Sequence, residues 1–297
     1  MEKQSKTPLF SVVTICYNAG DLIKKTIESV LAQDFTDYEY IIQDGLSRDN
    51  TLAIVNSYKD KFSSKGISLV INSGKDGGIY DAMNKAVSAA SGEYVIFMNA
   101  DDCFYSENVL NSVAARLRSY GCIGMENAND KKEFPDIVFG DCIVKELGMY
   151  FMFRKCPDLI KERMPFSHQA CFAKRELLLE TPLNTEYRIT ADYDFLLKAH
   201  LAGKTFFDSD VVIALVTADG VSSVSMYDAF SEACKVCNSY GIPRYTDSEM
   251  KKKVFEMKIK QFVLDCFPSF IKKAIRKYQV THRGQTTEVT LPSWANI

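Results

Sequence analysis

The chain has 297 residues, 46% of them hydrophobic, and a formal net charge of -2. That suffices for one large core with room for an appendage, and the near-neutral balance gives no general pull toward nucleic acid. Nine cysteines, an odd number scattered through apolar segments, fit a reduced, cytoplasmic setting, and MEKQSKTPLF lacks the apolar stretch of a secretory signal.

Residues 9–16 (LFSVVTIC) form an apolar run of strand length, and helical spacing follows over 21–32, where Leu22, Ile23, Ile27, Val30 and Leu31 share a face. Residues 38–43 read as a second strand ended by Asp44 and Gly45. DGLSRDNT leads into a helix over 51–62 with Asp49 or Asn50 as N-cap. A third strand (67–72) precedes the glycine-rich SGKDGG and a helix over 79–90. Gly92 ends that helix, and 94–98 is a continuous apolar run, the mark of a central strand buried on both faces; Asn99, Asp101 and Asp102 stand at its carboxyl end.

This alternation requires right-handed crossovers, hence an α/β fold with a mainly parallel sheet flanked by helices, whose ligands lie beyond the carboxyl ends of the strands. No G-x-G-x-x-G follows the first strand and no G-x-x-x-x-G-K-[ST] occurs, which disfavours dinucleotide cofactors and P-loop chemistry. Beyond this point the spacing predicts a helix over 106–120 capped by Ser106, an exposed irregular connection over 121–133, and a strand over 134–140 ended by Asp141. A hairpin near Gly148 and a loop over 155–165 follow, and then Ser167, His168 and Gln169 just before a short strand and helix. Residues 192–202 read as a helix with Phe195, Leu196, Ala199 and Leu201 available for packing, and 211–217 as a strand. Three helices (227–240, 248–266, 271–278) complete the chain. We therefore expect one domain over 1–226, in two halves of about 1–102 and 103–226, and a helical appendage over 227–297. Cys234 and Cys237 form the single C-x-x-C, which suits two thiols packed on one helix turn better than zinc.

Asp44, Asp76, Asp81, Asp101, Asp102 and Asp192 fall at strand ends, in glycine-rich loops or at helix starts, places that converge on one edge of such a sheet. A cleft this acidic repels a diphosphate unless metal ions or basic groups are present; oxygen ligands suit Mg²⁺ or Mn²⁺, and Arg48, Lys75 and Lys85 are placed to add positive charge.

The segments SVVTICYNAGDLIKKTIESVLAQ, IIQDGLSRDNT, GIYDAMNKAV and GEYVIFMNADD, with HQACF and TADYDFLLKA later, resemble in this order the bacterial family 2 glycosyltransferases of the GT-A fold, over about residues 10–217. The resemblance implies metal-dependent, inverting transfer from a nucleotide sugar, a UDP-sugar, to a saccharide or lipid-linked saccharide in surface polysaccharide or glycan biosynthesis. It also implies that Thr14, Cys16 and Asn18 lie near base and ribose, that Asp44 hydrogen-bonds the uracil, and that Asn99, first in a D-x-D-like motif, contacts ribose or sugar. Asp101 then holds the metal and Asp192 is the general base. Two departures stand out: Asn99 replaces an aspartate, with Asp102 placed to compensate, and Ala191 replaces the glutamate of an E-D pair.

Plainer readings stay open beside these. Asp192 also suits a helix cap and Asp44 a turn. Asp76, Asp81, Asn84, His168 and Gln169 are candidates for donor or acceptor contacts; Asp81 and Asn84 equally suit a solvated face, and His168 a hydrogen-bonded structural role. A degenerate nucleotide-sugar-binding module and a sugar-phosphate nucleotidyltransferase are the rival functions. In the tail, Lys251, Lys252, Lys253, Lys258 and Lys260, then Lys272, Lys273, Arg276, Lys277 and Arg283, are interleaved with Phe262, Phe267, Phe270, Ile271, Ile275 and Tyr278, while Phe255, Ile259 and Phe262 offer a face for packing. This suits either peripheral binding to an anionic membrane surface, at the inner face of the cell membrane, or packing on the domain with solvated lysines.

Overall fold

Strand β1 (Phe10–Cys16) is buried along its whole length because helices cover both faces of the sheet it centres. It pairs in parallel with β2 (Tyr38–Asp44) and β4 (Tyr94–Phe97), and β2 pairs in parallel with β3 (Ser68–Ser73). The computed structural model describes residues 7–121, 133–218, 226–283 and 286–289. On one face of the sheet, Phe10 and Val12 meet α1 (Ile23–Leu31), α2 (Thr51–Asn56), α3 (Lys59–Ser64) and α5 (Val109–Ser119). Val13 and Ile15 point the other way, to α4 (Ile79–Ala89), α6 (Arg175–Glu180) and α7 (Ala191–Leu201). This alternation is the period-two geometry of a strand covered on both sides.

The parallel order ends at β4. Strand β8 (Cys171–Lys174) runs antiparallel to it, and β6 (Ile137–Glu146) antiparallel to β8. Strand β6 also pairs with β7 (Met149–Phe153) as a hairpin and, in parallel, with β9 (Phe206–Thr217), while β5 (Cys103–Phe104) joins β9. With β10 (Thr286–Glu288) along β7, the ten-stranded sheet is mixed, parallel in the amino-terminal part and largely antiparallel after it.

Several local expectations are corrected. The helix over 51–62 is broken at Ser57 and Tyr58, which buries the Tyr58 ring and lets its hydroxyl donate to Glu28. Ser106 does not cap α5: its hydroxyl bonds Asn108, and Gln33 Oε1 accepts the Leu110 N–H instead. Leu22 and Leu201 are exposed. Asp141 does not end its strand. Strand β6 runs through it with a bulge, because Gly140 lies so close to β9 that a Cβ there would sit 2.2 Å from the Val211 carbonyl oxygen. The expected hairpin is present, with Leu147 and Gly148 both left-handed at its tip. Residues 122–132 of the expected connection lie outside the described residues.

After β9 come α8 (Met226–Ser239), α9 (Asp247–Asp265) and α10 (Ser269–Arg283). Helix α8 packs on α7, where Val236 and the buried Cys237 meet Tyr193 and Leu197; Cys234 is buried as well. Helix α9 opens on a capping box of Thr246 and Glu249 and buries none of its residues. Arg276 docks α10 on the hairpin, bonding Glu146 at 2.7 Å and lying over the Phe151 ring. No described helix is long and apolar enough to cross a membrane.

Candidate active site

The register of the parallel strands brings their ends level, with Cys16 beside Asp44 and Asp44 beside Ser73. The loops beyond are strained: of five non-glycine residues with positive φ among the described residues, Asn18, Leu46 and Asp101 follow β1, β2 and β4 on this edge. Backbone held in that region costs energy and concentrates at functional sites.

On the β1–β2 side, the fully buried Asp44 accepts from Ser73 Oγ at 2.6 Å, from the Ser47 N–H and from the Cys16 thiol. Burial, and then the Asp44 charge, push that thiol up to about 12, so Cys16 stands here as a neutral donor. Asn18 stitches two loops together, its N–H donating to Ser47 and its side chain accepting from the Arg48 N–H. Asp49 does the same from the other side, accepting from the Thr51 hydroxyl and N–H and from the Gly20 N–H. Thr14 sits deeper; its hydroxyl is engaged with Met98 O and Tyr40 OH. Asp76 lies against Gly45, whose added Cβ would fall 2.7 Å from Asp76 Oδ2.

The turn after β4 leans on α1. Thr26 Oγ accepts the Asp101 N–H at 3.0 Å, and Lys25 Nζ reaches the Asp101 carbonyl. Asp102 turns inward: its two oxygens accept from Gln169 Nε2 at 2.8 Å and from the Thr217 N–H at 3.2 Å. Burial raises its carboxyl to about 6 against the pull of those bonds.

From the same turn a polar chain crosses the sheet edge. Asn99 Nδ2 lies 3.1 Å from His168 Nε2, and His168 Nδ1 lies 3.0 Å from Asp192 Oδ2. Asp192 Oδ1 accepts from its neighbour's N–H and from Tyr80 OH at 3.3 Å. Burial disfavours a charged His168, but the hydrogen bond and charge of Asp192 outweigh it and raise the ring's pKa above 6.5. Asn99 Oδ1 is buried without a partner, an acceptor left over. The ring and Asp192 also wall a cavity of about 30 Å³ lined by Met83, Phe97 and Leu183.

The structure thus brings Asn99, Asp102, His168, Gln169 and Asp192 together. It engages two other candidates elsewhere. Asp81 pairs with Lys85 and accepts the Gly77 N–H, both at 2.7 Å, and Asn84 forms two bonds to the Leu183 backbone. Sequence reasoning missed Tyr80 and Glu232. Tyr80 lies within the quoted GIYDAMNKAV segment, whereas nothing local marks Glu232.

A family model described as Glycosyl transferase family 2 matches residues 11–180. A PGL/p-HBAD biosynthesis glycosyltransferase of Mycobacterium tuberculosis (H37Ra) is 30% identical over 192 residues, spanning 64% of this chain and 69% of that protein. A poly(ribitol-phosphate) beta-glucosyltransferase of Bacillus spizizenii is 27% identical over 237 residues, spanning 70% of this chain and 37% of its own length. Among solved structures, S. aureus TarS 1–349 in complex with UDP-GlcNAc aligns with a TM-score of 0.59 at 20% identity, over 83% of this chain and 70% of that one. A mannosyltransferase of Pyrobaculum calidifontis in complex with GDP-Man and Mn²⁺ aligns with a TM-score of 0.58 at 17% identity, over 84% and 69%. At those identities the likeness is one of fold, and the fold is the GT-A type that the resemblance implied.

Proposed function

We propose, from the premise that this chain belongs to glycosyl transferase family 2, that it moves a sugar from a nucleoside-diphosphate sugar to a saccharide acceptor with inversion at the anomeric carbon. The observation that carries this reading is the polar chain from Asn99 through His168 to Asp192, which joins the end of β4 to the start of α7 across the sheet edge. Asp192 takes the proton of the acceptor hydroxyl as its oxygen bonds to the anomeric carbon and the bond from that carbon to the diphosphate oxygen breaks. A positioned base of this kind typically contributes ~10² to 10⁴ in rate. His168, bonded to Asp192 and Asn99, holds the carboxylate in register with the donor. A single base on one side of the reacting carbon supports direct displacement.

UDP is the favoured nucleotide, since TarS is described with UDP-GlcNAc and the ends of β1 and β2, where Asp44 braces Ser47 and Ser73, offer polar groups suited to a base and ribose. Asp101 and the unpartnered Asn99 Oδ1 fit one or two places in a Mg²⁺ or Mn²⁺ shell otherwise filled by diphosphate and water. Such a cation, when bound, neutralises charge on the leaving diphosphate. Asp102, tied to Gln169 and Thr217, would brace the turn rather than ligate. The acceptor would belong to a surface polysaccharide or glycan, by analogy with the named relatives. A lipid-linked acceptor would place the enzyme at the inner face of the membrane.

The test is UDP or GDP release from a panel of UDP-glucose, UDP-galactose, UDP-N-acetylglucosamine and GDP-mannose, with and without candidate acceptors and with EDTA. Turnover of one donor that falls on chelation and returns with Mn²⁺ is expected. Saturable nucleotide-sugar binding with no release in any arm would favour the binding-module reading instead.

A further inference from the structure

Helix α8 lies beyond the family match and delivers one carboxylate to the loop that precedes α7. Glu232 Oε1 accepts the Arg188 N–H at 2.9 Å, and Oε2 accepts the Ile189 and Thr190 N–H groups at 2.7 and 2.8 Å and the Thr190 hydroxyl at 3.0 Å. Thr190 is the N-cap of α7, yet its hydroxyl makes no bond within that helix. Its side chain serves Glu232 instead. The same peptide is gripped from its other side, because Tyr80 OH donates to the Ile189 carbonyl at 2.6 Å. The Ile189–Thr190 peptide is therefore clamped at its oxygen by α4 and at its nitrogen by α8. Asp192 comes two residues later.

We propose that Glu232 is a positioning residue for transfer: its carboxylate sets the backbone of Arg188–Thr190 and, through it, the place of Asp192 against His168 and the acceptor. This rests on the reading of Asp192 as the base. Three consecutive N–H groups, those of Arg188, Ile189 and the N-cap Thr190, converge on this one carboxylate, which satisfies them with charge-assisted bonds just ahead of the positive end of α7. Burial favours the neutral acid, but the four bonds outweigh it and hold the Glu232 carboxyl below its ordinary range. The packing of Val236 and Cys237 on Tyr193 and the bond from Tyr240 OH to Asp194 fix α8 on the same helix, so the clamp is rigid rather than a surface ion contact.

The experiment compares wild type, Glu232→Ala, Glu232→Gln, Asp192→Asn and the double variant Glu232→Ala with Asp192→Asn, all in the full chain. The probe is the UDP-sugar that wild type turns over fastest, and amide exchange at Ile189 and Thr190 is followed without substrate. Misplacing a reacting group by a fraction of an ångström lowers kcat rather than donor affinity, so Glu232→Ala should lose at least about tenfold in kcat with donor KM within about twofold. Glu232→Gln, which keeps one acceptor oxygen and so the fold, should lose less, with faster exchange at both amides. In the double variant Glu232→Ala should add no more than about twofold to the Asp192→Asn loss, since both act through one group. Unchanged kcat in Glu232→Ala or Glu232→Gln overturns the proposal, as does an equal loss on both backgrounds. Asp192→Asn with wild-type turnover would instead overturn the base assignment, whatever Glu232 does.

Discussion

His168 holds its ring between the amide that ends β4 and the carboxylate that opens α7, and the Asp192 charge raises its pKa despite burial. Because the folded value is raised, the stability this group contributes is full below its ordinary value of 6.5 and is lost as pH rises through the folded value. Asp192→Asn should remove the cause, lowering the ring's pKa and abolishing the loss of stability that wild type shows as pH rises above 6.5. NMR titration of the imidazole beside denaturant melts at each pH checks both. An unshifted ring in the variant would mean that another group sets its charge. The strand-end aspartates were legible in the sequence because a short apolar run followed by a carboxylate states both the strand and its edge. Glu232 was not, since its bond to Thr190 joins positions 42 apart with no local signature, and Tyr80, although inside GIYDAMNKAV, meets Asp192 across 112 positions. Asp102 shows a spacing from Asp101 that suits a ligand, while its oxygens are turned to Gln169 and Thr217, which no local pattern announces.

Among the strands, β6 has a sequence pattern that reads falsely, for the Gly140–Asp141 pair that resembles a strand terminus is a bulge inside a longer strand. Gly140→Ala would drive a methyl against the Val211 carbonyl and should destabilise the fold by about 1 to 3 kcal/mol, measured by chemical denaturation. A neutral result would show that β9 yields there. The junction of α8 with α7 carries its own pH signature. Glu232 has a lowered folded pKa, so its contribution is present above its ordinary value of 4.5 and lost as pH falls through the folded value. Protection of the Ile189 and Thr190 amides, scored by hydrogen exchange, should fall on acidification through that window in wild type and be low at every pH in Glu232→Gln. The long helices and parallel strands were legible because each carries several periods of its pattern; β5 and β10, two and three residues long, carry too little pattern to read and exist only through their partners.

Over the whole molecule, basic and aromatic side chains concentrate at the carboxyl end. Phe255, Ile259 and Phe262 recur at helical spacing in α9 and are exposed, Phe262 at 72%, as is Phe270 in α10, so the alternative in which Phe255, Ile259 and Phe262 pack on the domain is not what the fold displays. We expect Phe255→Ser with Phe262→Ser, or Lys258→Glu with Lys260→Glu, to weaken co-sedimentation with phosphatidylserine vesicles, by roughly 1 kcal/mol per lysine at low salt and less as salt rises. Binding equal to wild type in both variants would leave this face to another role. The central claim is that Asp192 accepts the acceptor's proton while Asp44 and the strand ends hold the nucleotide. Its most direct test is the turnover of Asp192→Asn set against its affinity for UDP. The account predicts a loss of at least ~10² in acceptor-dependent UDP release with the UDP Kd within about threefold of wild type; turnover within about threefold of wild type would contradict it.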